Sequence, residues 1–198
     1  MKKALLTIAL LAAGLTASAQ GEVKDGAWED RRVVEVAGAS VSTLYLRALE
    51  ALSDWTGSQE KSKIGIDVQD KYEGIVVYKG EYYLGNAKAN MAPMAVWDTW
   101  ANFTLKVRCK EGRAQVSVAV PSLTFRFSGQ PAETTAPIDQ LLPEYKYKTK
   151  YTNKRAAREL APKVPTEFEA ILAAMCERLA KGSAVHTVTT TAYAPILP

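Results

Sequence analysis

The run Phe103-Thr104-Leu105-Lys106-Val107-Arg108-Cys109-Lys110-Glu111-Gly112-Arg113-Ala114-Gln115-Val116-Ser117-Val118-Ala119-Val120 reads as two strands and a turn. Phe103, Leu105, Val107 and Cys109 alternate with Thr104, Lys106, Arg108 and Lys110, the period-2 pattern of a strand with one dry face. Glu111-Gly112 makes the tight turn, and Val116, Val118 and Val120 begin the return strand. Pro121 has no N–H to give to a ladder, so the return strand is expected to bend or lie at an edge there before Leu123, Phe125 and Phe127 resume. Upstream, Ile64, Ile66 and Val68 alternate with polar residues, and Asp70-Lys71-Tyr72-Glu73-Gly74 turns the chain into Ile75-Val76-Val77-Tyr78. Tyr82-Tyr83-Leu84 continues that strand past a bulge.

Helices bracket the strands. Leu44, Tyr45, Ala48, Leu49, Leu52 and Trp55 fall at spacings of three and four, which predicts a helix over 43–56 capped by Ser40 or Ser42 and ended by Gly57. Thr166-Glu167-Phe168-Glu169 fits a capping box, after which Phe168, Ile171, Leu172, Met175 and Leu179 form one apolar stripe ended by Gly182. A short strand over 32–36 precedes the first helix. The order is β-α-β(4)-α, an α+β domain in which four strands joined by short turns form an antiparallel sheet and two helices cover one face.

Met1-Lys2-Lys3, the apolar run from Ala4 to Leu15 and Ala17-Ser18-Ala19 have the three parts of a secretory signal peptide. The expected organisation is a signal peptide over 1–19, a loose polar leader over 20–31, one domain over 32–182 and a flexible tail over 183–198. Within the domain, a basic excursion over 129–165 holds five prolines and no sustained period. The expected location is the periplasm or the exterior, in soluble form; no cysteine follows the apolar run to carry a lipid. The formal charge of +4 falls to about +2 when Lys2 and Lys3 leave with the signal. A composition 47% hydrophobic and 23% charged is that of a globular chain and argues against disorder.

Leu44-Tyr45 at the head of the first helix, the Gly74-Ile75-Val76 strand start and the hairpin Leu105-Lys106-Val107-Arg108-Cys109-Lys110-Glu111-Gly112-Arg113 resemble a family of exported bacterial domains of unknown function. The family has a TATA-binding-protein-like (TBP-like) fold. The likeness runs from about Val33 to Phe127 and, by element order, includes the helix after Thr166. It implies a curved antiparallel sheet with helices on one face, and no function. Sharing a fold with a DNA-binding protein does not transfer DNA binding.

The chemistry is thin. His186 is the one histidine, so neither a multi-histidine metal site nor a Ser-His-Asp triad is supplied, and no metal or cofactor is expected. Cys109 and Cys176 lack CxxC spacing and are expected as two separate buried thiols, a disulfide being the alternative. Asp67, Asp70 and Glu73 cluster at one turn, where a carboxylate-dependent hydrolase is the remote reading and a solvated hairpin end the ordinary one. The chain is therefore read as no enzyme but as an exported binding domain for a protein or envelope component. A carrier with an apolar cavity between sheet and helix is the alternative.

Two stretches are candidates for its contacts. Met91, Met94, Trp97 and Trp100 lie in an apolar loop that either folds back over the sheet or forms a partner patch. Tyr145, Lys146, Tyr147, Lys148, Lys150, Tyr151, Lys154 and Arg155 open a basic segment running to Lys163 in which Glu159 is the one acid. It is expected to add little to the core and to stay solvated. An acidic glycan or an anionic membrane surface is its conceivable partner, and the export signal argues against nucleic acid.

Overall fold

The computed structural model describes residues 21–57, 63–90, 92–128 and 131–181, leaving aside the side chains of residues 56, 57, 63, 64 and 92–94. The signal peptide over 1–19, Met91, Gly182, His186 and the tail over 183–198 lie outside those residues. The described chain forms one seven-stranded antiparallel sheet. In chain order the strands are β1 (Glu22–Lys24), β2 (Ala27–Glu35), β3 (Lys63–Asp70), β4 (Ile75–Ala89), β5 (Ala92–Lys110), β6 (Arg113–Phe127) and β7 (Glu133–Pro137). Their spatial order is β1-β2-β6-β5-β4-β3, with β7 pairing β6 beyond the end of β2. The helices are α1 (Val41–Gly57), α2 (Lys154–Leu160) and α3 (Lys163–Lys181).

The quoted hairpin forms as its alternation predicts, with Leu105 opposite Val118 and Val107 opposite Val116. Strand β5 runs as an unbroken ruler from Val96 to Lys110, its odd residues turned inward: Trp97, Ala101, Phe103, Leu105, Val107 and Cys109 are all buried. Its two neighbours each carry one extra residue. Strand β4 bulges between Tyr83 and Gly85, at φ +120° for the glycine, and β6 bulges at Pro121, between its pairings with Asn102 and Thr104. Each bulge swaps which alternate residues face inward and adds local twist. Pro121 sits where β6 changes partners from β2 to β7, so its missing N–H interrupts no ladder.

Helix α1 begins at Ser40, whose Oγ accepts from the Thr43 N–H at 3.1 Å, and buries Leu44, Tyr45, Ala48 and Leu52. It packs against β4, β5 and α3, while α3 lies over β2 and β6. Arg47 donates to the Leu179 carbonyl at 3.0 Å, satisfying an end of α3, and Asp54 pairs with Arg178. The ring of Phe168 meets Trp28 on β2, Tyr82 on β4 and Phe103 on β5 at centroid distances of 6.2, 5.6 and 5.5 Å. A hydrogen bond from Tyr82 to Glu167, beside Phe168, adds to burial in pushing the phenol up to about 12.

Several sequence expectations need correction. The leader is not loose: β1 and β2 make a hairpin, and β2 starts at Ala27 rather than Arg32. Its inward residues are Trp28, Asp30, Arg32 and Val34. Asp30 is buried, accepts from the Arg31 N–H at 2.6 Å and lies 3.6 Å from Arg32. Helix α3 starts at Lys163, with Pro165 in its first turn where an N–H has no helical partner anyway, so Thr166 is already helical and the capping box is not the helix start. The excursion over 129–165 is no long loop either, since it supplies β7, a 3-10 turn at Ile138–Gln140 and α2. Cys109 and Cys176 are both buried and free. Burial pushes the Cys109 thiol up to about 11.

Trp28 gives the corrected leader a measurable weight. Its indole fills the space beside Gly21, where a Cβ would come within 2.2 Å of the ring. Trp28→Ala is expected to cost about 3–5 kcal/mol of unfolding free energy in urea titration, as truncation of a buried aromatic does. A loose leader would give a change of less than about 0.5 kcal/mol.

Candidate binding surface on the open face of the sheet

Among the described residues, three helices lie on one side of the sheet and none covers the other. The even residues of β5 point there, and Trp100 stands at the centre of a lattice that crosses β4, β5, β6 and β7. Tyr83 on β4 lies 5.0 Å from the Trp100 ring, and the Arg126 guanidinium from β6 sits 5.3 Å from its centroid. Arg126 also donates to Glu81 at 2.6 Å and to Glu133 of β7 at 2.8 Å, and these hydrogen bonds hold its pKa above the usual value. The Tyr83 hydroxyl donates to Asp98 at 2.8 Å and accepts from Asn86 at 3.2 Å; burial first, then Asp98, raise its pKa. Asn102 donates to Ser122 and to Thr124, both at 2.9 Å. The Trp100 indole N–H has no hydrogen-bond partner.

Farther along the same face, toward the β5–β6 turn, the surface dips. A groove of about 330 Å³ is lined by Lys24, Glu29, Arg31, Thr104, Lys106 and Ser117, and a second of about 250 Å³ by Val33, Arg108, Lys110, Arg113 and Gln115. The face thus offers an aromatic centre with paired charges at one end and, at the other, grooves lined by lysines and arginines with Glu22, Glu29 and Asp30 among them. Such a surface can bind by stacking, hydrogen bonding and charge.

The predicted apolar patch is divided by the sheet. Residues 92–100 are strand rather than loop, and an odd spacing sends Trp97 and Trp100 to opposite faces. Trp97 is buried, its ring tilted against Phe127 at 4.9 Å, and donates to Thr152 Oγ1 at 3.0 Å. Met94 lies on β5. The acidic turn serves as a turn: Asp70 Oδ1 accepts from the Tyr72 and Glu73 N–H groups at 3.0 Å each, and Asp67 pairs with Lys79.

The basic segment is divided too, which overturns the expectation that it adds little to the core. Tyr147 is buried and stacked 6.3 Å from Phe125; Tyr145 is half-buried; Asn153, Ala156, Ala157 and Leu160 are buried. Lys146, Lys148, Lys150, Tyr151, Lys154 and Arg155 are exposed, as expected. Sequence reasoning missed Tyr83, Glu81, Asp98, Arg126 and Glu133. Only the register across four strands brings them together, and Arg126, between Phe125 and Phe127, shows in the sequence merely as one polar position of an alternating run.

The topology and the open curved sheet are those of known domains. Residues 31–123 match the model of the domain of unknown function (DUF4468) with TBP-like fold. The resemblance read from the hairpin is to that family. The chain is similar to the crystal structure of a DUF4468 family protein from Bacteroides ovatus ATCC 8483, at 13% identity and a TM-score of 0.60 over 86% of this chain and 95% of that one. It is also similar to a TBP-like protein from Parabacteroides distasonis ATCC 8503, at 12% identity and a TM-score of 0.55 over 81% of this chain and 97% of that one. At such identities the likeness is one of fold. No curated protein matches the chain.

Arg126 is the piece of the lattice whose loss is most legible. Arg126→Met keeps the aliphatic stem over Trp100 and removes the cation between Glu81 and Glu133. The partly exposed pairs are expected to be worth about 1 kcal/mol together, read by thermal or urea unfolding. The amides of β7, tied to β6 by this side chain, should exchange their hydrogens faster than those of β5.

Proposed function

We propose that this chain is an exported, non-catalytic binding domain that recognises a protein or another envelope component through the open face of its sheet, with Trp100 at the centre. The observation that carries this reading is the Trp100 lattice itself. A half-buried aromatic ring is held between Tyr83 and Arg126 on the face opposite the helices, its indole N–H buried and without a hydrogen-bond partner, and beside it lie charged groups paired in place. Pre-set aromatic and arginine groups are what binding hot spots are made of. Among the described residues, Trp28, Phe103, Phe125 and Phe168 pack between sheet and helices where an apolar ligand would sit, which favours this reading over a carrier. In the acidic turn Asp70 is engaged by backbone N–H groups and Asp67 by Lys79, which favours binding over hydrolysis.

Export rests on the three-part N-terminal signal, and no helix among the described residues is long and apolar enough to cross a membrane. Mass spectrometry of the protein from its native cells should find an N-terminus at or near Gln20. Intact Met1 in the bulk of the protein would overturn export.

Recognition through the open face is checked by pull-down from envelope extract with the immobilised chain. Trp100→Ala should weaken capture of the retained partner by about tenfold or more, the loss of a central aromatic contact, while urea unfolding shows the variant folded. Undiminished capture by folded Trp100→Ala would move the site elsewhere.

A further inference from the structure

On the far side of the molecule, residues 145–150 run without regular secondary structure across the end of the sheet, over the inward faces of β6 and β5. Burial alternates along them. Tyr145 and Tyr147 turn toward the protein, Tyr147 stacking on Phe125 and Tyr145 set edge-on to Tyr147 at 6.3 Å. Lys146, Lys148 and Lys150 turn out and are exposed, the Lys146 side chain by 68%. The alternation puts Lys146, Lys148 and Lys150 in sequence on the outward side of the strap, a row of three cationic side chains. The row is anchored at its far end, where the Thr152 carbonyl accepts from the Asn90 N–H at 3.1 Å and the Thr152 hydroxyl takes the Trp97 indole bond. Lys154 and Arg155 then carry positive charge onto the exposed side of α2. Opposing charges are few: Glu144 lies 3.4 Å from Lys146, and Glu159 is held by Arg155.

From this row we infer that the strap over 145–155 is a docking track for a linear acidic polysaccharide, one whose carboxylate or sulfate groups repeat along the chain. A row suits a repeating line of charge better than a single small anion, which would engage one step of it and leave the rest unused. Single-stranded nucleic acid needs a series of exposed aromatic faces for base stacking, and the strap offers Tyr151 alone: Tyr147 is buried and the Arg158 guanidinium lies 4.9 Å over the Tyr145 ring. A membrane surface is the poorer fit as well. Tyr151 is the single large apolar side chain on the strap that stands exposed, and Lys150 lies 5.7 Å over its ring. The track is separate from the Trp100 face and does not depend on it.

The test titrates the whole chain, by calorimetry or fluorescence anisotropy, with a heparin oligosaccharide, polygalacturonate, uncharged dextran, single-stranded oligothymidylate and vesicles containing phosphatidylglycerol. The expected result is binding to heparin or polygalacturonate, tighter than to oligothymidylate or vesicles, and none to dextran. The triple variant Lys146→Ser, Lys148→Ser, Lys150→Ser should bind the acidic glycan about tenfold more weakly, with a salt dependence flatter by about two to three in log–log slope as counterion release is lost. A triple variant with the same charge change elsewhere, Lys71→Ser, Lys79→Ser, Lys181→Ser, all exposed and outside both surfaces, should stay within about threefold of wild type. If thermal unfolding shows the first triple to be misfolded, Lys148→Glu alone carries the test and should weaken glycan binding while Lys71→Glu does not. Equal losses in both triples, or equal effects of the two single changes, would reduce the effect to net charge and overturn the track. Preferential binding of oligothymidylate or of vesicles would overturn the polysaccharide assignment, and so would no binding of either acidic glycan at low salt.

Discussion

Phe168 fastens the molecule together. Its ring touches aromatic side chains on β2, β4 and β5, and Trp55 of α1 reaches Phe103 from the other side at 5.7 Å. One side chain of the last helix therefore spans the width of the sheet and links it to the first helix. The strands are sequence-distant, with Trp28 and Phe168 near opposite ends of the chain, so the contact closes the fold rather than a local unit of it. Tilted and edge-on rings at these distances add to the apolar area they bury. What the helices leave uncovered on the same face is covered by the strap through Tyr147 and Trp97, and the opposite face is left free.

The free face owes its side-chain arrangement to the bulges. Because β5 keeps strict alternation from Val96 onward while β4 and β6 each insert one residue, the partners of Trp100 come from sequence positions of different parity. Tyr83 lies just before the β4 bulge, and Arg126 lies past the β6 bulge at Pro121. Without the inserted residues one alternation would run through Gly85 and past Pro121, and one end of each strand would turn its apolar residues outward. The bulges thus allow long strands to stay dry on one side while the sheet curves.

How much of this was legible in the sequence depends on what occupied the inward positions. Strand pairs β5–β6 and β3–β4, together with helices α1 and α3, were readable because Val, Leu, Ile and Phe recur at the right period. The first part of strand β2 was hidden because its inward residues run Trp28, Asp30, Arg32, Val34, and a largely buried charged pair erases the alternation that marks a strand. Its end was readable, as a strand over 32–36, from Val33, Val34 and Val36. Likewise the tyrosine–lysine alternation of the strap was visible, yet three lysines outweighed two tyrosines in judging where the segment lay. For the candidate site, the spacing of Trp97 and Trp100 already implies opposite faces once residues 92–100 are taken as strand. The company that Trp100 keeps was not legible, since it comes from four strands whose register a single sequence does not contain.

The strap binds its own composition and length by different rules. Its inward residues lock into Phe125 and Trp97, while its lysines touch nothing that holds the fold together. The lysines are therefore free to drift to other polar residues over evolutionary time at small cost in stability. A deletion of one residue between Tyr145 and Thr152 is another matter, because it would swing every following lysine toward the sheet and every following tyrosine toward water. Among relatives of this chain, folding should hold the segment strict in length and leave its charge to be set by what the strap binds.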